Sequence, residues 1–166
     1  MLQHANLWLL WFSAVGCGLM AGVYFTFSTF VMRALNEVGA AAGTAAMQSI
    51  NVVILRSPFM PLFFATTISG AALVVIALMR WGEAGSGFAL AGGVIYVVGM
   101  FVLTAAFNVP LNDRLATVSA GSSETVEMWT VYLRDWTRWN HVRTLASGLS
   151  CILFIQAIVR SYAPAG

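Results

Sequence analysis

Four long stretches without a charged residue constrain this chain more than any other feature of its sequence. A helix that spans the hydrocarbon of a bilayer needs about 20 mainly apolar residues. Only 8% of the 166 residues are charged and 60% are apolar, whereas about a quarter of the residues of an average soluble domain are charged. The sequence therefore predicts an integral membrane protein. The uncharged stretches are residues 5–32, 57–79, 84–112 and 144–159.

The last stretch is too short to cross a bilayer by itself, because as a helix it would extend only about 24 Å. The fourth span must therefore recruit Asn140, His141 and Arg143 at its start. We predict an all-α fold, an antiparallel four-transmembrane-helix bundle in which an amphipathic helix leads into the fourth span. The chain has no long linker and short connections, which favour one up-and-down domain over residues 1–166. The predicted spans are residues 5–32, 57–79, 86–109 and 140–160.

The arginines are distributed unevenly between the loops. Loops one and three carry six of them and the opposite side carries two, so the positive-inside rule places these two loops in the cytoplasm. A bacterial inner or plasma membrane is the expected location. The N-terminal segment has no Lys or Arg before its long apolar run, which favours a retained first helix over a cleaved signal peptide.

Small residues at four-residue spacing mark the first span, where Gly18 and Gly22 form a GxxxG motif. Such a stripe lets another helix backbone approach closely. Packing inside the bundle is the favoured interpretation, and a homo-oligomer through this motif is the alternative. In loop one, the Ala-rich segment 40–47 predicts an interfacial helix that precedes Gln48 and Asn51.

The segment that leads into the fourth span carries a stripe that changes from aromatic to polar. At 100° per residue, seven side chains fall within about 80° of one another. An interfacial aromatic belt would explain the tryptophans. It would not explain why Asn140 and Arg143 lie on the same face of the helix. An arginine in a span costs at least about 2.5 kcal/mol near the bilayer centre unless it faces the bundle or a wet cavity. The seven residues are Trp129, Tyr132, Leu133, Trp136, Asn140, Arg143 and Ser147.

A second polar set lies at the end of the third span, around Pro110. A proline removes a backbone donor and breaks or kinks a helix, so we expect the helix to be interrupted there. Asn108 and Asn112 lie one turn apart and could either repair the broken ladder or belong to a site. Under either interpretation the two asparagines lie near Arg143. Gln48 and Asn51 lie on the same side of the membrane and could join them.

Several classes of site and partner find no support in the sequence. The two histidines, His4 and His141, fall on opposite predicted sides without an acidic cluster, so no metal or haem site is expected. Gly-rich phosphate motifs and nucleophile elbows are absent. The net charge of +2, mixed with acidic residues, does not indicate a nucleic-acid partner.

Two runs, residues 108–115 (NVPLNDRL) and 136–144 (WTRWNHVRT), resemble the anthrone-oxygenase-like family of small four-helix membrane proteins. Residues 22–27 (GVYFTF) and 48–51 (QSIN) are similar to weaker motifs of that family. The resemblance implies an oxygenase that needs no cofactor and uses molecular oxygen to convert anthrones to anthraquinones. The alternatives are a membrane protein that binds or passes a small lipophilic compound, and an accessory membrane protein.

The resemblance also implies roles for individual residues. Arg143 with Asn108 or Asn112 would stabilise an enolate oxygen, His141 would be the general base, and Asp113 is the reserve base. His141 lies about 160° from Arg143 around the same helix, so the two side chains cannot face one pocket unless the helix unwinds between them. The expected substrate-binding residues are Trp129, Tyr132 and Trp136, which would stack on a flat aromatic substrate, together with Asn140, Gln48 and Asn51.

Overall fold

Four helical segments of this protein are long and apolar enough to cross a membrane. The computed structural model describes residues 2–119 and 121–162, with side chains from Ala5 onward. All secondary structure in these residues is helical, which confirms the predicted all-helical bundle with four spans. The spans one to four are Ala5–Glu37, Phe59–Met79, Ser86–Ala116 and Ser123–Tyr162.

The described residues contain seven α-helices and three π-helical turns, and six of the α-helices belong to the spans. The α-helices are α1 (Leu2–Thr26), α2 (Met32–Glu37), α3 (Ala40–Ile54), α4 (Phe59–Met79), α5 (Ser86–Tyr96), α6 (Val109–Ala116) and α7 (Ser123–Tyr162). The π-helical turns are Phe27–Val31 in span one and Val97–Val102 and Thr104–Asn108 in span three. Only α3 lies outside the four spans.

The connection between α4 and α5 is a short turn that depends on glycine. Gly82 and Gly85 have φ angles of 96° and 89°, values that glycine adopts without a steric penalty. At the other end of α4, Pro58 directly precedes the helix with φ −57°, which suits a helix start. The tight turn makes spans two and three antiparallel neighbours.

The helix of span three does not break at Pro110 but continues to Ala116, with a π-helical turn directly before the proline. The π-helical turn before the proline pairs the Val109 N–H with the carbonyl of Thr104, five residues earlier. A proline in an α-helix clashes with the carbonyl four residues before it. The wider turn displaces the carbonyls and lets the helix pass through Pro110.

Helix α7 is 40 residues long, about 60 Å at 1.5 Å per residue, and therefore about twice as long as the hydrocarbon is thick. Its C-terminal half packs against α1 and α5 in the membrane core of the bundle, to which α4 also contributes. Its N-terminal half is the predicted amphipathic helix that leads into span four, and its apolar face packs on a second apolar cluster. The buried residues of this second cluster are Met32, Met47, Leu111, Leu115, Met128, Trp129, Tyr132 and Trp136.

Helix α3 packs tightly against the end of the bundle where loops one and three lie. A Cβ atom on Gly43 would lie 2.5 Å from the carbonyl oxygen of Leu35 and 2.7 Å from the ring of Trp129, so only glycine fits there. The side-chain amide of Gln48 donates to the carbonyl oxygens of Leu115 at 2.8 Å and Val118 at 2.9 Å. These bonds join α3 to the last turn of α6.

The small residues of span one make contacts inside the bundle. A Cβ atom on Gly18 would lie 3.5 Å from the sulfur of Cys151 in α7, whereas one on Gly22 would meet nothing within 4 Å. Gly18 therefore packs on α7, and the homo-oligomer through the GxxxG motif stays a prediction. Spans two and three approach each other closely at another glycine, where a Cβ atom on Gly93 would lie 2.6 Å from the carbonyl oxygen of Gly70.

We predict that Gly93→Ala destabilises the bundle by about 1 to 3 kcal/mol, because the added methyl forces α4 and α5 apart. The free energy of unfolding in mixed detergent micelles measures this. Gly22→Ala is the matched control, since its methyl enters open space and alanine is the better helix former. Equal destabilisation by the two substitutions would contradict the close packing of α4 on α5.

Candidate functional site

A cavity of about 330 Å³ lies at the end of the bundle where loops one and three meet the spans. It is bounded by the C-terminal halves of spans one and three, the N-terminal turns of α4, the middle of α7, and α3. This volume is in the range of small-molecule sites. Most of the wall is apolar, and its aromatic members include Tyr24, Phe27, Phe59, Phe63, Phe101 and Trp136.

The polar side chains of the cavity wall are few, and one of them is charged. Arg143 is 5% exposed, and the wall also contains Asn51, Thr104 and Asn112. Three of these four are residues for which the sequence predicts a site. The structure therefore brings together Arg143, Asn112 and Asn51 from three different helices.

The guanidinium of Arg143 is held between two aromatic rings. Its central carbon lies 4.5 Å from the ring centroid of Tyr24 and 5.1 Å from that of Trp136. A cation over an aromatic face is attracted by about 2 kcal/mol or more when water is excluded. The two rings stabilise the charge of Arg143 without neutralising it.

Asn140 orients Arg143 from one turn away on α7. Its side-chain oxygen accepts a hydrogen bond from Nη2 of Arg143 at 2.6 Å. Its amide nitrogen donates to the carbonyl oxygen of Tyr24 and to the hydroxyl of Ser28, both at 2.7 Å. The predicted role of Asn140 was substrate binding, but in the structure it joins α7 to span one and positions the guanidinium.

Arg143 keeps unused hydrogen-bonding capacity toward the cavity. Its only other hydrogen bond within the described residues is a long one, from Nη1 to the hydroxyl of Thr104 at 3.4 Å, and Nε is buried without a partner there. A guanidinium carries five N–H donors. Within residues 2–119 and 121–162 no carboxylate forms a salt bridge with it.

Helical irregularities place several side chains at the cavity. Phe27 begins the π-helical turn of span one, and Phe101, Thr104 and Ala105 belong to the two π-helical turns of span three. A π-helical turn changes the direction of the side chains that follow it, and such turns often occur at functional sites. The two irregular spans therefore meet at the same cavity.

Asn112 and Asn51 add amide groups near Arg143. The side-chain oxygen of Asn112 accepts a hydrogen bond from the hydroxyl of Tyr132 at 2.7 Å. The amide nitrogen of Asn51 is buried without a hydrogen-bond partner among the described residues. A ligand could therefore receive hydrogen bonds from the guanidinium and from α3.

The predicted stacking residues of α7 stack on one another. The ring centroids of Trp129 and Tyr132 are 6.0 Å apart and those of Tyr132 and Trp136 are 5.7 Å apart, with nearly parallel planes. Of the three, only Trp136 lines the cavity. Trp129 donates from its indole nitrogen to the side-chain oxygen of Asn36 at 3.2 Å, so it fastens α7 to α2.

Asn108 and Gln48 also act between helices. The amide nitrogen of Asn108 donates to the carbonyl oxygen of Trp136 at 3.2 Å, and the residue is buried. Gln48 caps the end of α6 as described above. Neither side chain lines the cavity, so their predicted roles at the substrate find no geometric support.

The two predicted bases also lie outside the cavity. His141 and Asp113 are exposed on the outer faces of α7 and α6, as the angle between His141 and Arg143 on one helix required. No group of three His, Cys, Asp or Glu side chains that could hold a metal occurs in the part of the chain that the structure describes.

Two members of the site escaped the sequence analysis, namely Tyr24 and Thr104. Tyr24 lies in the GVYFTF segment, and Thr104 precedes Asn108 by one turn in an otherwise apolar run. The hydroxyl group that each carries within a span could have marked them as site candidates. The phenylalanines that α4 contributes to the wall could not have been recognised from the sequence, because phenylalanines in a span normally face lipid or core.

The site can bind an oxyanion on a flat apolar molecule. A cation in a cavity of low dielectric attracts a negative charge far more strongly than the same cation in water. The aromatic wall favours rings, and the volume limits the ligand to a few fused rings. The chemistry offered by the wall is therefore stabilisation of negative charge on oxygen.

Residues 52–153, more than half of the chain, match the model of a protein family described as anthrone oxygenase. The matched region contains α4, the third span and the site residues Thr104, Asn112, Trp136 and Arg143. No curated protein and no solved structure matches the chain.

We predict that Asn140→Leu lowers the free energy of unfolding by about 2 to 3 kcal/mol, since it leaves buried donors and acceptors without partners. Unfolding in mixed detergent micelles measures the loss. Thr130→Val is the control, because the Thr130 hydroxyl bonds only to the carbonyl of Val126 on an exposed face. An unchanged stability of the Asn140 variant would show that this side chain does not hold α7 to span one.

Proposed function

Because this chain belongs to the anthrone oxygenase family, we propose that it is a membrane oxygenase that oxidises a lipophilic, weakly acidic aromatic compound of the anthrone type with molecular oxygen. The observation that carries the proposal is Arg143, a buried guanidinium that faces an aromatic cavity and has no carboxylate partner among the described residues.

The cavity wall suits such a compound in shape and polarity. Phe59, Phe63, Phe101 and Trp136 offer ring faces and edges that pack on a fused aromatic system. Both an anthrone and oxygen partition into the hydrocarbon, so the bilayer concentrates the two reactants near the site. When both reactants are bound in one cavity, they react as neighbours in a fixed orientation and do not depend on a chance encounter.

Arg143 has a defined role in this reaction. The carbonyl oxygen of an anthrone gains negative charge when the opposite methylene loses a proton and the molecule becomes an aromatic enolate. The guanidinium would donate hydrogen bonds to that oxygen and thereby favour the anion, in the manner of an oxyanion hole. Tyr24 and Trp136 hold the guanidinium in place before the substrate arrives.

The reaction balances without a cofactor. The substrate enolate transfers electrons to oxygen, and a bond forms between the former methylene carbon and one oxygen atom. The terminal oxygen of this peroxide takes up the first proton. The second C–H bond then gives its electrons to the new carbonyl and its proton to water, while the oxygen–oxygen bond breaks and hydroxide leaves. One oxygen atom stays in the quinone, and the hydroxide combines with the second proton to become water.

The first proton needs no base inside the cavity under this proposal. The enol form of an anthrone is phenol-like and ionises in the interfacial region, and Arg143 then selects the anion. His141 and Asp113, both exposed, have no role in the step. The general-base role that the family resemblance implies for His141 is therefore not needed, because Arg143 selects a substrate that is already ionised.

Binding or passage of a lipophilic compound without chemistry is the second candidate function. The same cavity supports it, because a cation and an aromatic wall bind a phenolate whether or not oxygen reacts. Oxygen consumption separates the two candidates. A ligand that binds with no oxygen uptake favours the second.

We predict that the purified protein in nanodiscs accelerates oxygen uptake with 1,8-dihydroxyanthrone, and that Arg143→Met lowers kcat/KM at least about 100-fold because it removes the oxyanion donor. An oxygen electrode and the absorbance of the quinone product measure the rate. Methionine fills a similar apolar volume, and circular dichroism checks that the bundle stays helical.

His141→Ala is the matched control on the same helix, and we expect kcat/KM to change less than about twofold, the usual effect of a substitution away from a site. A large loss in this variant with full activity in Arg143→Met would reverse the assignment of the two residues. A wild-type protein that binds the anthrone but consumes no oxygen would refute the oxygenase proposal.

A further inference from the structure

The cavity opens through the side of the bundle. Part of its wall is formed by exposed apolar residues, namely Leu55, Phe64 and Val109 with 64%, 47% and 43% of their surface accessible, and by exposed Ala105. These residues come from the corner between α3 and α4 and from the facing side of span three. The opening is a gap between two neighbouring spans.

The opening lies at membrane depth. Phe64 is the sixth residue of α4, about 8 Å along the helix from its first residue. Ala105 lies eight residues before Asp113, the first charged residue after the uncharged run of span three, which corresponds to about 12 Å. One leaflet contributes about 15 Å of hydrocarbon. The gap therefore faces the lipid of the leaflet next to loops one and three.

The polarity of the cavity wall differs between its buried and its exposed residues. Arg143, Thr104 and Asn112 are buried or half-buried, whereas the exposed wall residues named above are apolar. Met47 and Phe63 close other parts of the wall and are almost fully buried. A ligand with a charged oxygen at one end and an apolar group at the other would fit in one orientation only.

We propose that the gap is a lateral portal to the bilayer and that it holds an apolar substituent of the substrate. The substrate class is then an amphiphile, a weakly acidic aromatic head group with an alkyl or prenyl chain, which enters from the leaflet head group first. The head binds at Arg143 and the chain passes between Phe64 and Ala105 into lipid. The identity of the head group rests on the proposed function, whereas the portal does not.

Photoaffinity labelling tests the portal without any turnover. The probe is 1,8-dihydroxyanthrone with a ten-carbon chain that ends in a diazirine, added to the full chain in nanodiscs under nitrogen. Peptide mapping is expected to find labelling at Leu55, Phe64 and Val109 that excess unsubstituted 1,8-dihydroxyanthrone removes. Ile68 is the internal control, because it is 67% exposed on α4 and does not line the cavity. Its labelling measures reaction with probe dissolved in the lipid, and excess ligand should not reduce that labelling.

A substitution that fills the gap gives the second readout. Ala105→Trp should lower the competed labelling at least about tenfold, equivalent to 1.4 kcal/mol of binding. Val98→Trp is the matched control, because Val98 is exposed on the same span but does not line the cavity, and its labelling should stay within about twofold of the wild type.

The outcomes separate the two proposals. Competed labelling at the portal without oxygen uptake supports the portal and refutes the oxygenase function. Labelling that appears equally at Ile68, that excess ligand does not reduce, or that Ala105→Trp leaves unchanged overturns the portal even if the protein turns over its substrate. Labelling confined to loops one and three would overturn it as well, because the ligand would then reach the cavity from water.

Discussion

A single buried cation organises the functional end of this bundle. Arg143 lies in a span, where an unpaired charge is expensive, and its surroundings offset that cost by specific contacts rather than by a counter-charge. Tyr24 and Trp136 lie on either side of the guanidinium, and Asn140 accepts its shortest hydrogen bond. Span one and α7 must therefore meet in one register, since a shift of one turn would leave the charge without any of these contacts.

The two apolar cores explain why a cavity exists at that place. The membrane core packs the spans closely through small residues such as Gly93, while the second core gathers α2, α3, α6 and the N-terminal half of α7 around Tyr132. Between the two cores the helices of spans one and three contain π-helical turns. Wider turns pack less regularly than α-helix, and space for a ligand remains between the cores. The anthrone-type chemistry that we propose needs this space and the positive charge at its inner end.

The sequence predicted the spans, the long helix into span four and the inward-facing position of Arg143, because each follows from the cost of polar groups in hydrocarbon. At Pro110 the helix does not break, because a π-helical turn, which the rule for a proline in an α-helix did not anticipate, precedes the proline. The sequence also assigned Trp129, Gln48 and Asn108 to the substrate, whereas these side chains join helices. A polar side chain in a span must find a partner, but its spacing does not say whether that partner is another helix or a ligand.

The amino-acid sequence by itself determined that the chain crosses a membrane four times and that Arg143 must face inward. Both follow from transfer free energies, which depend on the kind of residue and on segment length. Only the tertiary structure decided which groups surround that arginine, that His141 faces away from it, and that Phe64 and Ala105, both exposed, line the same cavity. These features depend on the relative rotation and register of helices far apart in the chain, which packing sets and local periodicity does not record.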